Sequence, residues 1–291
     1  MKYRRILYKI LQIKYSLLYY LYRSKVVING VFIPNGFSLL NTNWGDDINM
    51  VLPYIISGRK VIPYSLLLGK IRRSVTNNIL CVGSIIQWNT DANSIVWGAG
   101  LISDDSKILC KPKMVYAVRG PLTRKALLAK GIECPEVFGD PALLFPKFYL
   151  PKKEKKYRVG IIPHVVDKKS HLLSIAKDEH SVTIIDIQNY HKDWRYFIDR
   201  VLECDFIYSS SLHGLIISEA YHVPCQWVKF SDNIIGGDFK YKDFFFSINK
   251  LDSKPIIFAP WLLQENVVAK FKNNWKVGVI DLEKLINACP F

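Results

Sequence analysis

The chain has 291 residues, 49% of them hydrophobic, and nothing in it resembles low-complexity disorder, so it can bury one large core or two of ordinary size. A formal charge of +15 calls for an anionic partner, whether a nucleic acid, an anionic membrane or a phosphorylated substrate. Its six cysteines are scattered, with no C-x-x-C pair and no clustered histidines, which speaks against a zinc site or a disulfide framework and for reduced, mostly buried thiols in the cytoplasm.

The opening segment, Met1 to Lys25, carries no acidic residue. Ile6, Ile10, Ile13, Leu17 and Leu21 fall at helical spacing, while Arg5, Lys9, Gln12, Ser16 and Arg23 mark a polar stripe. Charges interrupt it too often for a bilayer span, and it lacks the small-residue cleavage site of a signal peptide. The spacing predicts a basic amphipathic helix over 1–25. Such a helix either lies on an anionic membrane surface or packs its apolar stripe on the body of the protein.

From Val26 strands and helices alternate. VVINGVFI reads as a strand, and NWGDDINMVLPYI as a turn entering a helix, with Asp46 and Asp47 where negative charge favours a helix start. ILCVGS, SIVWGAG and MVYAVRG are short apolar strands that end in or before glycine. A helix over 121–130 follows, opened by Pro121 and closed by Gly131, and EVFGDPALLF reads as a last strand and turn. Two prolines and a run of lysines between Pro146 and Arg158 mark a linker, which divides the chain into domains over 26–150 and 151–291. The second domain restarts with YRVGIIPH and continues through SVTIIDI, a helix around Trp194 to Cys204, DFIYSSS, the helical LHGLIISEAYH, QWVKF, an aromatic-rich helix and a helical tail. This order predicts an α/β fold of two Rossmann-like, doubly wound domains whose strand ends face a shared cleft.

Candidate chemistry centres on DFIYSSSLHGLIISEAYHVP. A strand ending in serines and opening a helix is expected to leave the N–H groups of Ser210 to His213 free for a phosphate or carboxylate. His213 would be held beside that anion as acid or base. On these residues alone, serine capping and a packed histidine are the more ordinary reading.

SSSLHGLIISEAYHVP resembles the C-terminal signature of the polysaccharide pyruvyltransferase family, in the form found in ketal pyruvyltransferases of exopolysaccharide and capsule synthesis. NWGDDIN at Asn43 to Asn49, WGAG at Trp97 to Gly100, and VRGPLTRKALLAKG with FGDPALLF between Val118 and Phe145 match in the family's order, so the resemblance spans Val26 to Ser247. It implies a GT-B-like pair of domains, with the acceptor on the first and the donor on the second. It also implies transfer of pyruvate from phosphoenolpyruvate, a co-substrate and not a cofactor, to two hydroxyls of a sugar on a lipid-linked or free oligosaccharide. The products are a cyclic ketal and phosphate, and no metal is implied.

By the same resemblance His213 is the proton donor to the enol methylene, and Arg119 grips the donor carboxylate. Ser210, Ser211 and Leu212 form the phosphate turn. Family members often carry arginine where Ser211 stands here, and Lys229, Lys240 or Lys242 is expected to supply the missing charge. His164 is a further donor-side candidate. Asp46 is the candidate base for the acceptor hydroxyl, flanked by Asn43, Trp44 and Gly45 as acceptor-binding residues, whereas Asp140 reads as a structural turn residue.

Such an enzyme works in the cytoplasm, peripherally on the inner face of the cell membrane. Nucleic acid is disfavoured because the basic residues gather in the N-terminal segment and the linker instead of interleaving with aromatics. Two rivals remain. One is a GT-B-type glycosyltransferase using a nucleotide sugar, against which stands the lack of an acidic ribose-binding pair with a glycine-rich turn. The other is a non-catalytic basic membrane-surface protein.

Overall fold

The computed structural model describes residues 2–177 and 180–291. Strands β1 (Lys25–Ile28), β2 (Lys60–Pro63), β3 (Asn78–Leu80), β4 (Ser94–Trp97) and β5 (Met114–Ala117) form a parallel five-stranded sheet in the order β2-β1-β3-β4-β5. Strands β6 (Tyr157–Ile162), β7 (Val182–Ile184), β8 (Cys204–Ser209), β9 (Cys225–Lys229) and β10 (Ile256–Ile257) form a second, also parallel, in the order β10-β9-β8-β6-β7. Read from its far edge, the second order repeats the first. The central strands are largely buried along their length, as parallel strands covered on both faces are.

In each half the chain winds outward from its first strand in both directions, so winding reverses between β1 and β3 and again between β6 and β8. Ligands of open parallel sheets sit outside the carboxyl ends of the strands at such a reversal. Here the two reversals face each other.

The sheet change falls between Ala117 and Tyr157. Within EVFGDPALLF, expected as a strand and turn, Phe138 bridges to Val118 as a strand would, and the chain then forms a 3-10 helix over Pro141–Lys147 that buries Leu143, Leu144 and Phe145. A short apolar run cannot by itself be told from a buried helical turn.

The halves are firmly joined. Trp44 is fully buried, donates from Nε1 to the carbonyl of Trp194 at 2.8 Å, and packs its ring 4.8 Å from that of Phe197. Tyr190 Oη donates to Asp47 at 2.6 Å and accepts from the N–H of Asn41 at 2.6 Å. The largest apolar cluster draws residues from both sheets.

The N-terminal helix, Lys2–Leu21, buries Leu7, Leu11 and Tyr15 against the first half, and Ser16 Oγ accepts the N–H of Leu68 at 3.0 Å. The stripe picked out by spacing lies on the other side. Ile6, Ile10, Ile13, Leu17 and Leu21 are all exposed, Leu21 to 74%.

Candidate active site

A cleft of ≈ 370 Å³ lies at the facing reversals. Val31 follows β1, Gly83 and Ser84 follow β3, His164 follows β6, and Ser211, Leu212 and His213 follow β8; Asn43, Asp46 and Lys240 complete the wall. The backbone at Gly83 has φ +116, which a side chain would strain, and this lets the chain turn sharply into the cleft.

His213 stands in the first turn of the helix Leu212–Ala220, whose first internal bond runs from the N–H of Leu215 to the carbonyl of Ser211. Ser210 and Ser211 were expected to offer free N–H groups, but both donate back to the carbonyl of Ile162, at 3.1 and 3.4 Å. The open donors therefore move one step along the chain, to Leu212, His213 and Gly214. Gly45 makes room for the imidazole: a Cβ there would stand 1.9 Å from His213 Nδ1. His213 Nε2 is buried without a hydrogen-bond partner and lies 3.9 Å from Asp140 Oδ2. Burial, then the charges of Arg119 and Lys240, push its pKa down to about 3, so the imidazole is neutral at physiological pH.

Lys240 is buried, and its pKa is pushed down to about 8 by burial and by Arg119, with partial relief from Asp46. Burial raises Asp46 to about 6 and Asp47 adds to the rise, while a 2.7 Å hydrogen bond from Asn43 Nδ2 and the charge of Lys240 oppose it. His164 is pushed down to about 4 by burial and by Lys240. Its N–H donates to Ser210 Oγ at 2.8 Å, Ser210 Oγ donates to Asp167 at 2.9 Å, and Ser231 Oγ reaches the other oxygen of Asp167 at 2.6 Å. Asp167 thereby fixes the loop that carries His164.

The structure thus brings His213, Asp46, Asn43, His164, Ser211, Leu212 and Lys240 to one cleft. Other expected residues take different places. Arg119 is fully buried behind the wall: its guanidinium pairs with Asp243 at 2.9 Å and donates to Ser84 Oγ at 2.5 Å and the carbonyl of Leu101 at 2.7 Å, so it is not a free fork for a carboxylate. Asp243 also accepts from the N–H of Thr123 at 2.9 Å, which caps the helix Pro121–Ala129. Ser210 is buried and committed to Asp167. Lys229 pairs with Asp238 at 2.7 Å and lies outside the cleft, and Lys242 is exposed, which leaves Lys240 as the lysine in the wall. Trp44 is sealed in the core and Gly45 is consumed by the approach of His213, so neither offers an acceptor a surface.

Asp140 caps its own turn, accepting from the N–H of Ala142 at 3.0 Å, as expected of a structural residue. Ser84 and Asp167 carry no signal in the sequence beyond a strand end in glycine and serine and an acid after a strand.

Two doubly wound parallel sheets whose strand ends meet at one cleft define an α/β protein with a ligand-sized space between its halves. The sequence profile of the polysaccharide pyruvyl transferase family matches residues 4–229, and the chain belongs to that family. It is 32% identical over 168 residues to an uncharacterized protein of Acanthamoeba polyphaga mimivirus, covering 56% of this chain and 57% of that one. It is 29% identical over 209 residues to the succinoglycan biosynthesis protein ExoV of Rhizobium meliloti (strain 1021), covering 69% of this chain and 60% of that one. The match therefore spans somewhat more than half the length of these relatives. A solved structure of a functionally uncharacterized protein from Klebsiella pneumoniae covers 86% of this chain and 99% of its own at a TM-score of 0.43 and 14% identity, too distant to inform the site.

Proposed function

We propose that the chain transfers pyruvate from phosphoenolpyruvate to two hydroxyls of a sugar in a surface-polysaccharide precursor, forming a cyclic ketal and releasing phosphate, with its domains arranged in the GT-B-like manner. One observation carries the proposal. A neutral histidine, a buried lysine, a carboxylate of raised pKa and an open helix N-terminus meet in one cleft at the carboxyl ends of both sheets. Family membership supports it.

The phosphate rests against Lys240 and the N–H groups of Leu212 to Gly214, where the helix end favours negative charge. Ser84, whose oxygen already accepts from Arg119, keeps its own O–H for the donor carboxylate. The arriving negative charges offset those of Arg119 and Lys240 and lift the pKa of His213. His213 takes up a proton and passes it to the methylene carbon, so the C=C bond becomes a methyl group and C2 an oxocarbenium centre. A first sugar hydroxyl adds to C2 and yields its proton to Asp46. The bond from C2 to the phosphate oxygen then breaks, and the second hydroxyl closes the ring. Of the two hydroxyl protons, one replaces the proton delivered to carbon and the other leaves with phosphate, so the sum balances without an oxidant or reductant.

The test is phosphate release from phosphoenolpyruvate, screened with lipid-linked and free oligosaccharide acceptors, with mass spectrometry of the acceptor for a gain of pyruvate less water. A folded protein that releases phosphate only with a nucleotide sugar, or leaves every acceptor unchanged, would refute the reading.

Lys240→Ala is expected to weaken donor binding about 10–100-fold, the loss of a charge-assisted hydrogen bond of about 1.5–3 kcal/mol. Because Lys240 loses its proton near pH 8, wild-type donor affinity should fall as pH rises through that value. Isothermal titration at several pH values checks both, since the variant should lose this dependence.

The acceptor of such a reaction is lipid-linked in this reading, and the outward stripe of the N-terminal helix, with Arg5, Lys9 and Lys14 exposed around it, suits an anionic membrane surface on the cytoplasmic side. Deleting the helix would also strip Leu7, Leu11 and Tyr15 from the core, so the informative variant is Ile10→Glu/Ile13→Glu/Leu17→Glu. It should keep the wild-type melting temperature and stop sedimenting with phosphatidylserine-containing vesicles. Undiminished sedimentation would assign the stripe another role.

A further inference from the structure

Beside the cleft runs a second, larger groove of ≈ 550 Å³ that the chemistry above does not use. It begins at Tyr8 of the N-terminal helix, passes Tyr64 and Arg72, and ends at Trp88 and Val31, which line the cleft as well. The two spaces therefore adjoin at these two residues.

The groove differs from the cleft in its chemistry. Trp88 presents its ring at the junction and is 55% exposed, although a free indole of this size is normally covered. Tyr64 is fixed in the wall by donating from Oη to Asp91 at 2.7 Å, and Tyr8 by donating to the carbonyl of Ser65 at 3.1 Å. Asn29 lines the groove with its amide N–H groups committed to Asn78 at 3.0 Å and to the carbonyl of Asn89 at 2.6 Å. Two ionisable groups of opposite sign, Arg72 and Asp91, lie among the lining residues, so the groove has no net charge to attract a phosphate.

Fixed aromatic side chains among polar groups, with no net charge, match a ligand with apolar C–H faces and many hydroxyls. We infer that this groove holds the neutral oligosaccharide chain of the acceptor, with Trp88 stacking on the sugar next to the one that enters the cleft. This assignment rests on the pyruvyl-transfer reading for its direction, since the modified sugar must reach the cleft. The helix that supplies Tyr8 to the wall also turns its apolar stripe outward, which places a membrane-tethered glycan within reach of the groove.

The experiment measures binding without turnover, so that a failure of the pyruvyl chemistry and a failure of the groove give different results. Cellotetraose, laminaritetraose and a β-linked galactotetraose are titrated against the full chain by saturation-transfer NMR, in the presence and absence of phosphoenolpyruvate. At least one tetrasaccharide should bind. Its affinity should fall about tenfold or more in Trp88→Ala, in line with the loss of one stacked ring, and largely recover in Trp88→Phe. Phosphoenolpyruvate affinity should fall less than tetrasaccharide affinity in both variants. A matched monosaccharide should bind far more weakly than the tetrasaccharide. Absence of binding by all three tetrasaccharides, or binding that ignores both Trp88→Ala and Tyr64→Ala while the variants melt as wild type, overturns the assignment.

Discussion

His213→Ala is expected to lower turnover about 10²–10⁴-fold, the range set by loss of a positioned general acid. Donor affinity should change much less, because Lys240 and the N–H groups at the helix start remain. The fold should tolerate the change: Nε2 has no hydrogen-bond partner to lose. A pH measurement separates this from structural damage. The folded imidazole titrates near 3 and an unfolded one near 6.5, so the unfolded chain binds the proton more readily and the native state loses stability as pH falls through that window. Removing the residue should leave the variant less acid-sensitive than wild type across this window, with His164 contributing a smaller remaining loss. Near-normal ketal formation by a folded His213→Ala protein would hand the proton to His164 or Asp46.

The second large effect is on stability. Arg119→Ala leaves Asp243 without its guanidinium in a wholly buried site, and breaking a buried pair in this way costs about 3–5 kcal/mol. Urea unfolding should show that loss directly. Any fall in donor affinity, measured at low temperature on the folded protein, should be smaller than that of Lys240→Ala, because the guanidinium stands behind Ser84 and not in the cleft wall. A variant with wild-type stability and severely weakened donor binding would restore Arg119 to direct contact with the donor. Arg119→Met combined with Asp243→Leu removes both charges and should recover part of the lost stability.

What could be read beforehand was what depends on local pattern. Apolar runs ending in glycine marked the strands, the serine-to-helix junction placed His213 at a strand end, the NWGDD turn placed Asp46 at a helix start, and the two do meet in one cleft. What escaped depended on partners far along the chain. Arg119 resembles a ligand-binding arginine until Asp243, 124 residues away, is set against it. The serine N–H groups look free until the carbonyl of Ile162 on the neighbouring strand claims them. The N-terminal helix has two apolar faces, and spacing found the one that points outward because the tyrosines and lysines blur the other. Among the three downstream lysines, only burial singles out Lys240.

The seam between the halves has a further consequence for how the protein moves and fails. Its largest apolar cluster belongs to neither sheet alone, and Trp44, Tyr190 and the Arg119–Asp243 pair each bind one half to the other. A wide hinge motion would have to break these contacts. The molecule should then unfold as a single block on heating, which calorimetry would record as one transition. Cutting it in the stretch between Ala117 and Tyr157 would yield two pieces with greasy flanks that seek each other again or precipitate, and catalysis would return only with their reunion.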